Sequence, residues 1–200
     1  MGLSYTMDNC FLDIAIEFLS VAFHGILYYA NVYPRSIFET RRKYSIVVYR
    51  CIHPEVVQYI DMCLKSITDC WKAGQLNKIE FAITNNTYEP IVKFVFDLDK
   101  INIQEDKSDT YLIQAEQNMR TFCLSMSTLC DKFNELPDNT SFKILLHTTE
   151  SVAVSVASNP GLEQFPLIEV EVEKEFEQIH PMKRFTIGKY CLDTYVEIRE

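Results

Sequence analysis

The fold is decided by residues 8–34, DNCFLDIAIEFLSVAFHGILYYANVYP. This stretch predicts one long helix over residues 8–33, whose few polar side chains lie on a single stripe at helical spacing: Asp13, Glu17, Ser20, His24 and Asn31. A helix that is apolar around most of its circumference is typical of the centre of a globular protein. A membrane span would not carry that charged stripe. Pro34 ends the helix, because the residue before a proline disfavours the helical conformation.

Composition and charge indicate one globular domain spanning residues 1–200. Apolar residues make up 48% of the chain and charged residues 24%, which are ordinary values for such a domain. The net charge of −9 argues against a protein that grips nucleic acid through its phosphates. Basic residues gather once, at Arg41, Arg42 and Lys43, where a solvated start of a strand is favoured over a nucleic-acid patch.

Cysteines, histidines and short motifs give little sign of catalysis. The seven cysteines include no Cys-x-x-Cys pair, so we expect free thiols in a reducing, intracellular compartment, with neither a metal nor a cofactor. His24, on the polar stripe, is favoured as a structural residue. Cys51 and His53 share a strand face and stay a candidate nucleophile–base pair, although no oxyanion donor accompanies them. Nucleotide-binding, hydrolase and metalloprotease motifs are missing, so we expect no enzyme.

Apolar periodicity predicts the elements that follow the first helix. Residues 44–51 are rich in β-branched and aromatic side chains and predict a strand. A second helix follows and ends at Gly74. Its core stripe is Val56, Ile60, Cys63, Ile67 and Cys70 or Trp71. Alternating residues then predict a hairpin of two strands, 79–84 and 91–98.

The rest of the chain divides into the end of a core and a different C-terminal segment. A third helix of about 25 residues is predicted from one apolar stripe, formed by Leu112, Ala115, Met119, Phe122, Met126, Leu129 and Phe133. Alternation at 142–146 predicts another strand. The strand candidates 168–172 and 195–198 need a partner strand. We therefore expect a core at about 8–148 and a helix-free segment at about 151–200.

A series of short motifs runs in order along essentially the whole chain. They are Glu17-Phe18-Leu19, Ile26-Leu27-Tyr28, Val32-Tyr33-Pro34, Ile37-Phe38, Lys43-Tyr44, Cys51-Ile52-His53-Pro54-Glu55, Gln58-Tyr59-Ile60, Lys93-Phe94-Val95-Phe96-Asp97, Arg120-Thr121-Phe122, Leu146-His147-Thr148 and Tyr195-Val196-Glu197. This series resembles the HORMA domain family. Within it, the blocks around His53 and Lys93 resemble the branch whose members are accessory subunits of DNA polymerase zeta.

The resemblance implies an α+β fold, with an antiparallel sheet backed by three helices and followed by a C-terminal safety belt, here about residues 151–200. In the family this belt closes over a short partner peptide, which adds a strand to the sheet. Main-chain hydrogen bonds hold such a peptide and side-chain pockets select it. Because the belt must reopen for release, we expect slow dissociation.

The resemblance also assigns residues to the peptide site and to one domain interface. Tyr59 matches an aromatic residue that contacts the peptide, with a plain core role as the alternative. Leu167 stands at the second contact position, where the vertebrate-type member of the family has tryptophan, so the usual aromatic anchor is missing. Arg120 matches an interface between two HORMA domains, with a solvated surface arginine as the alternative.

Three further positions complete the implied function. Ile179, Asp193 and Tyr195 match the face that binds the C-terminal domain of a scaffold translesion polymerase, with Asp193 in place of an amide. The resemblance thus implies a non-catalytic adaptor of translesion DNA synthesis, in the nucleus and also the cytoplasm. It would clasp a Pro-containing segment of the catalytic subunit of DNA polymerase zeta and bridge it to the scaffold polymerase.

Further partners and other roles follow from the same resemblance. A second HORMA domain and an AAA+ remodelling ATPase are implied as partners, whereas direct contact with nucleic acid or membrane is not expected. A HORMA adaptor in the spindle checkpoint, in double-strand-break repair choice or on the meiotic chromosome axis is the alternative. The clasp would be the same there and the ligand different.

Overall fold

The structure is a computed structural model, which describes residues 7–100, 109–130, 136–149, 176, 178–187 and 190–199. In chain order the elements are α1 (Met7–Tyr29), β1 (Phe38–Lys43), β2 (Ile46–Cys51), α2 (Pro54–Lys72), β3 (Leu76–Thr84), β4 (Pro90–Lys100), α3 (Asp109–Cys130), β5 (Ser141–Thr148), β6 (Gln178–Ile187) and β7 (Tyr190–Ile198). The two strands β1 and β2 form a hairpin of their own. The other five form an antiparallel sheet in the order β5-β3-β4-β7-β6. The predicted α+β class is confirmed.

The centre of the core is α1. Six of its side chains have 0% of their surface exposed: Phe18, Leu19, Ala22, Phe23, Ile26 and Leu27. The ring of Phe18 meets those of Phe96, Phe122 and Phe185 edge to face, with centroids 6.4, 5.0 and 5.1 Å away. One side chain therefore joins α1 to β4, α3 and β6. By length and composition alone Cys10–Tyr29 would pass as a membrane span, yet packing inside the domain uses its apolar side chains.

The predicted end of the first helix, at residue 33, is wrong by four residues. α1 ends at Tyr29 because Asn31 adopts a left-handed conformation, with φ of 53°. The N–H of Asn31 donates to the Tyr28 carbonyl at 3.3 Å, and the N–H of Val32 donates to the Leu27 carbonyl at 3.2 Å. These bonds form a Schellman closure, in which asparagine takes the position that glycine usually fills.

The β1–β2 hairpin was predicted only in part. Residues 44–51 were expected to form one strand, but Tyr44 and Ser45, with φ of 50° and 58°, form a tight turn between two strands. Two positive φ values are typical of the type I′ turn, which matches the twist of a hairpin. The sequence of β1, FETRRK, has no apolar alternation, so periodicity gave no sign of it.

The basic run Arg41–Lys43 lies at the end of β1, not at the start of a strand as expected. Arg41 pairs with Glu39 at 2.7 Å, and Lys43 pairs with Glu17 at 2.8 Å. Acidic neighbours thus offset two of the three basic charges, which weakens the nucleic-acid interpretation further.

The second helix and the first large hairpin agree with the predictions. α2 ends at Lys72, and Gly74 is the expected stop just after it, with φ of 69° and an N–H that donates to the Trp71 carbonyl at 2.9 Å. Strands β3 and β4 pair antiparallel and extend the predicted hairpin at both ends. In α3 the predicted stripe is buried from Ala115 to Leu129, but Leu112 is 42% exposed, because it lies on the first turn. Phe133 lies outside the described residues.

The C-terminal hairpin completes the sheet. The predicted final strand, 195–198, is the end of the longer strand β7, whose partners are β4 and β6. The sequence of β6, QIHPMKRFTI, gives no strand prediction, because its proline and charges interrupt the alternation. The strand candidate 168–172 lies outside the described residues.

Candidate functional site

Two strands, β5 and β6, have a single neighbouring strand in the described part of the sheet. The β6 strand carries Pro181, Lys183 and Arg184, residue types that discourage the addition of another strand. The β5 strand, SFKILLHT, carries one lysine and no proline. The outer side of Ser141–Thr148, called here the β5 edge, is therefore the side of the sheet suited to accept a partner strand.

Hydrogen bonding shows which backbone groups face outward at the β5 edge. The N–H of Thr149 donates inward, to the Gln75 carbonyl of the β3 side, at 3.0 Å. Backbone groups alternate in direction along an antiparallel strand. Phe142, Ile144 and Leu146 therefore turn their N–H and C=O groups outward, where a partner strand would bond with them.

Tyr59 of α2 lies at this edge. Its hydroxyl oxygen accepts a hydrogen bond from the N–H of Ile144, at 3.3 Å. Burial raises the pKa of Tyr59, and its hydroxyl donates to the Cys63 sulfur, so the group stays protonated and fixed. The ring packs against the core while the hydroxyl reaches the edge. The structure thus places the Tyr59 hydroxyl at the β5 edge; peptide contact stays a prediction.

Aromatic rings line the helix side of the β5 edge. The ring of Phe142 is edge to face with Tyr59 and with Tyr33, at 5.3 and 6.2 Å between centroids, and stacks on Phe81 at 5.1 Å. Such a wall suits apolar side chains of a partner. The sequence alone does not predict the positions of Tyr33 and Phe142 in this wall. The Tyr-Pro end of the first helix was the available signal, but it says nothing about contact with a distant strand.

A buried carboxylate lies on the sheet face opposite the helices. Glu80 is 3% exposed, and its carboxylate contacts Lys78 at 2.7 Å, His147 at 3.0 Å and Lys93 at 3.4 Å. Burial alone would raise the pKa of Glu80, but its contacts with His147 and Lys78 and the nearby positive charges lower it to about 2. Glu80 is therefore ionised and links β3 to both β4 and β5.

Phe176, two residues before β6, contacts the face of the sheet opposite the helices. Its ring lies over the Lys93 ammonium, 4.7 Å from the centroid, on the face opposite the helices. Lys93 belongs to β4, which β7 separates from β6. The Phe176 ring thus lies over β4 on that face of the sheet.

The predicted scaffold-polymerase positions share one face of the C-terminal hairpin. Ile179 pairs with Glu197, and Tyr195 pairs with Pro181. Directly opposed residues share a face, so Ile179, Tyr195 and Asp193 all lie on the face opposite the helices. Ile179 is 61% exposed. Their role in binding stays a prediction.

The remaining predicted site residues fall elsewhere. Arg120 is exposed on α3, four residues before Leu124, which is 52% exposed. Leu167 lies outside the described residues. The candidate nucleophile Cys51 is 1% exposed, and burial raises the pKa of its thiol, while His53 is exposed at the start of α2. A buried, protonated thiol is a poor nucleophile, so these two residues do not form a working pair.

Comparisons with known proteins place this geometry in a family. The model of the HORMA domain matches residues 12–160. The human mitotic spindle assembly checkpoint protein MAD2B is 32% identical over 190 residues, which make up 94% of this chain and 90% of that protein. The DNA polymerase zeta subunit 2 of Drosophila melanogaster is 26% identical over 164 residues, 80% of each chain.

A solved structure agrees with the fold. A chain in the crystal structure of the mitotic checkpoint complex superposes with a TM-score of 0.77 and is 16% identical, with coverage of 94% of this chain and 98% of that chain. At this identity the likeness concerns the fold, not the ligand.

Proposed function

This chain belongs to the HORMA domain family, and we propose that it serves there as the non-catalytic adaptor subunit of a translesion DNA polymerase of the zeta type. In this role it clasps a segment of the catalytic subunit under the safety belt, about residues 151–200. It also bridges that segment to the C-terminal domain of a scaffold translesion polymerase. The protein would work in the nucleus and also in the cytoplasm.

The observation that best supports this proposal is the difference between the two edge strands of the sheet, β5 and β6. The C-terminal hairpin is seated on β4, in a register that runs from Val92 opposite Ile198 to Lys100 opposite Tyr190. The hairpin therefore lies on the side of the sheet away from the β5 edge. A peptide added at that edge gains main-chain hydrogen bonds from Phe142 or Leu146, with apolar side chains against the aromatic wall.

The identity of the ligand rests on the relatives. Subunits of DNA polymerase zeta among them support a segment of that enzyme's catalytic subunit as the peptide. The face that carries Ile179, Asp193 and Tyr195 is the proposed surface for the scaffold polymerase. A second HORMA domain at Arg120 and an AAA+ ATPase that reopens the belt complete the proposed partners.

Co-expression with the catalytic subunit tests the proposal. Overlapping fragments of that subunit from the same organism are co-purified with the wild-type chain, and we expect one short fragment to be retained. Leu146→Pro removes one outward N–H without touching a β3–β5 hydrogen bond, so it should abolish retention. Asn86→Pro, in the exposed β3–β4 turn, is the control with an added proline that should retain the fragment.

The second candidate is a checkpoint adaptor with the same clasp. Relatives named as spindle assembly checkpoint proteins favour it. Mass spectrometry of proteins captured from mitotic cells by wild type and by Leu146→Pro separates the two. A checkpoint protein as the main edge-dependent partner, with no polymerase fragment retained, would replace the first proposal.

A further inference from the structure

Tyr59 already uses part of the β5 edge that an added strand would need. Its hydroxyl accepts from the outward N–H of Ile144 at 3.3 Å. The hydroxyl thus stands where the carbonyl of a partner strand would otherwise accept. A partner backbone at the usual strand spacing of about 4.8 Å would collide with the tyrosine side chain at this point.

The position of Ile144 on β5 determines how the contact with Tyr59 affects the pairing of a partner strand. Ile144 lies between the two other outward-facing residues, Phe142 and Leu146, each about 7 Å away along the strand. A side chain that reaches Ile144 from α2 therefore divides the edge into two short stretches.

The tyrosine is held in place from two directions. Its ring is packed edge to face on Phe142, 5.3 Å between centroids, and its hydroxyl donates to the Cys63 sulfur, one turn further along α2. Because both the ring and the hydroxyl are fixed, displacement by a partner backbone would break several contacts at once.

We propose that Tyr59 determines specificity through its hydroxyl, by withholding the Ile144 N–H from the partner. The partner segment then pairs with β5 in two short stretches, at Phe142 and at Leu146, and arches away between them. A straight strand would leave one carbonyl without a donor at Ile144, which disfavours it. The edge therefore selects a bent, extended peptide. This inference rests on the proposed function, since it needs a peptide at the β5 edge.

Amide hydrogen exchange, followed by NMR on the full chain, tests the free protein first. Tyr59→Phe removes the hydroxyl and keeps the ring. We expect the Ile144 amide to exchange at least about fivefold faster, with Phe142 and Leu146 unchanged. Tyr88→Phe, on a side chain that is 74% exposed in the β3–β4 turn, is the matched control and should change none of the three. An unchanged Ile144 rate in Tyr59→Phe overturns the inference.

A bound peptide tests the division of the edge. The probe is a 15-residue peptide selected from a random library on the wild-type chain. In wild type it should slow exchange at Phe142 and Leu146 and leave Ile144 unaltered, whereas in Tyr59→Phe it should slow all three. If amide exchange at Ile144 slows together with exchange at Phe142 and Leu146 in wild type, the inference is wrong. The proposed binding of a peptide at the β5 edge is then still supported. Failure to select any peptide that protects β5 overturns the proposed function, and this inference with it.

Discussion

Gly25 of α1 lies against Met126 of α3 so closely that a Cβ built on the glycine would be 3.0 Å from the methionine Cε and 3.5 Å from its Sδ. A glycine inside a helix costs about 1 kcal/mol relative to alanine. The close approach of the two helices explains why glycine stands there. The methionine methyl is the flexible end of a side chain, so a single added methyl group is tolerated and a larger one is not.

The effect of a substitution at Gly25 on the free energy of unfolding should therefore depend on the size of the new side chain. We expect Gly25→Ala to stay within about 1 kcal/mol of wild type in urea unfolding, since the gain in helix propensity offsets the shift of Met126. Gly25→Leu should destabilise by about 2 kcal/mol or more. Met126→Ala in the same chain should relieve part of that loss, because the two sites share one space. Additive effects of the two substitutions would contradict direct contact.

Buried His24 should make the fold sensitive to mild acid. Its Nδ1 accepts from the Cys51 N–H at 3.3 Å, and burial, followed by the charge of Arg50, lowers its pKa to about 4 from an ordinary 6.5. Between these values the unfolded chain binds more protons than the folded one, so stability is complete above pH 6.5 and falls as the pH drops toward 4. The loss should reach about 3 kcal/mol.

His24→Asn tests this window because it removes the titrating group and keeps an acceptor near Nδ1. Urea unfolding at several pH values between 7 and 4 should show a flatter profile in the variant than in wild type. Parallel profiles would mean that other groups carry the acid sensitivity in this range.

Glu80 should make the stability of the fold depend on pH in a second range, which lies below that of His24. Hydrogen bonds and nearby positive charges outweigh burial and hold the pKa of its carboxyl at about 2, below the ordinary 4.5. Its contribution is complete above pH 4.5 and is lost as the pH falls toward 2, because the unfolded chain then takes up the proton first. The shift corresponds to about 3 kcal/mol. Glu80→Gln should lower stability at pH 7 and flatten the profile only below 4.5.

Long, strongly patterned segments could be predicted from the sequence, and segments that depend on distant partners could not. The core stripe of α2 and the alternation of β3 and β4 are local signals, and the elements lie where these signals place them. β1 has no apolar alternation because its pairing with β2 stabilises it, and β6 buries only two of its residues, Phe185 and Ile187, both at its C-terminal end. The end of α1 depends on one asparagine in a left-handed conformation, which a proline three residues later obscured.

The candidate site shows the same division. Tyr59 was identified through family motifs, and its half-buried position at the edge of the α2 stripe was a usable signal. Its contact with Ile144 joins residues 85 positions apart, a relationship that no local pattern encodes. The outward direction of the Ile144 N–H depends on the β3–β5 register, and that register is set by the whole sheet.

The outer face of α3 should mediate pairing of two copies of this chain if Arg120 has the role that the resemblance implies. Arg120 is exposed, and Leu124 and Ile113 on the same helix are 52% and 57% exposed. An arginine beside exposed apolar side chains is typical of an interface centre.

We expect wild type to form dimers in sedimentation equilibrium, and Arg120→Glu to weaken them at least about tenfold, as loss of one well-placed arginine does. Arg42→Glu, on the β1–β2 hairpin, is the control with the same charge change and should leave the dimer intact. Equal weakening by both would point to net charge, and a wild type that stays monomeric would leave Arg120 as a solvated surface residue.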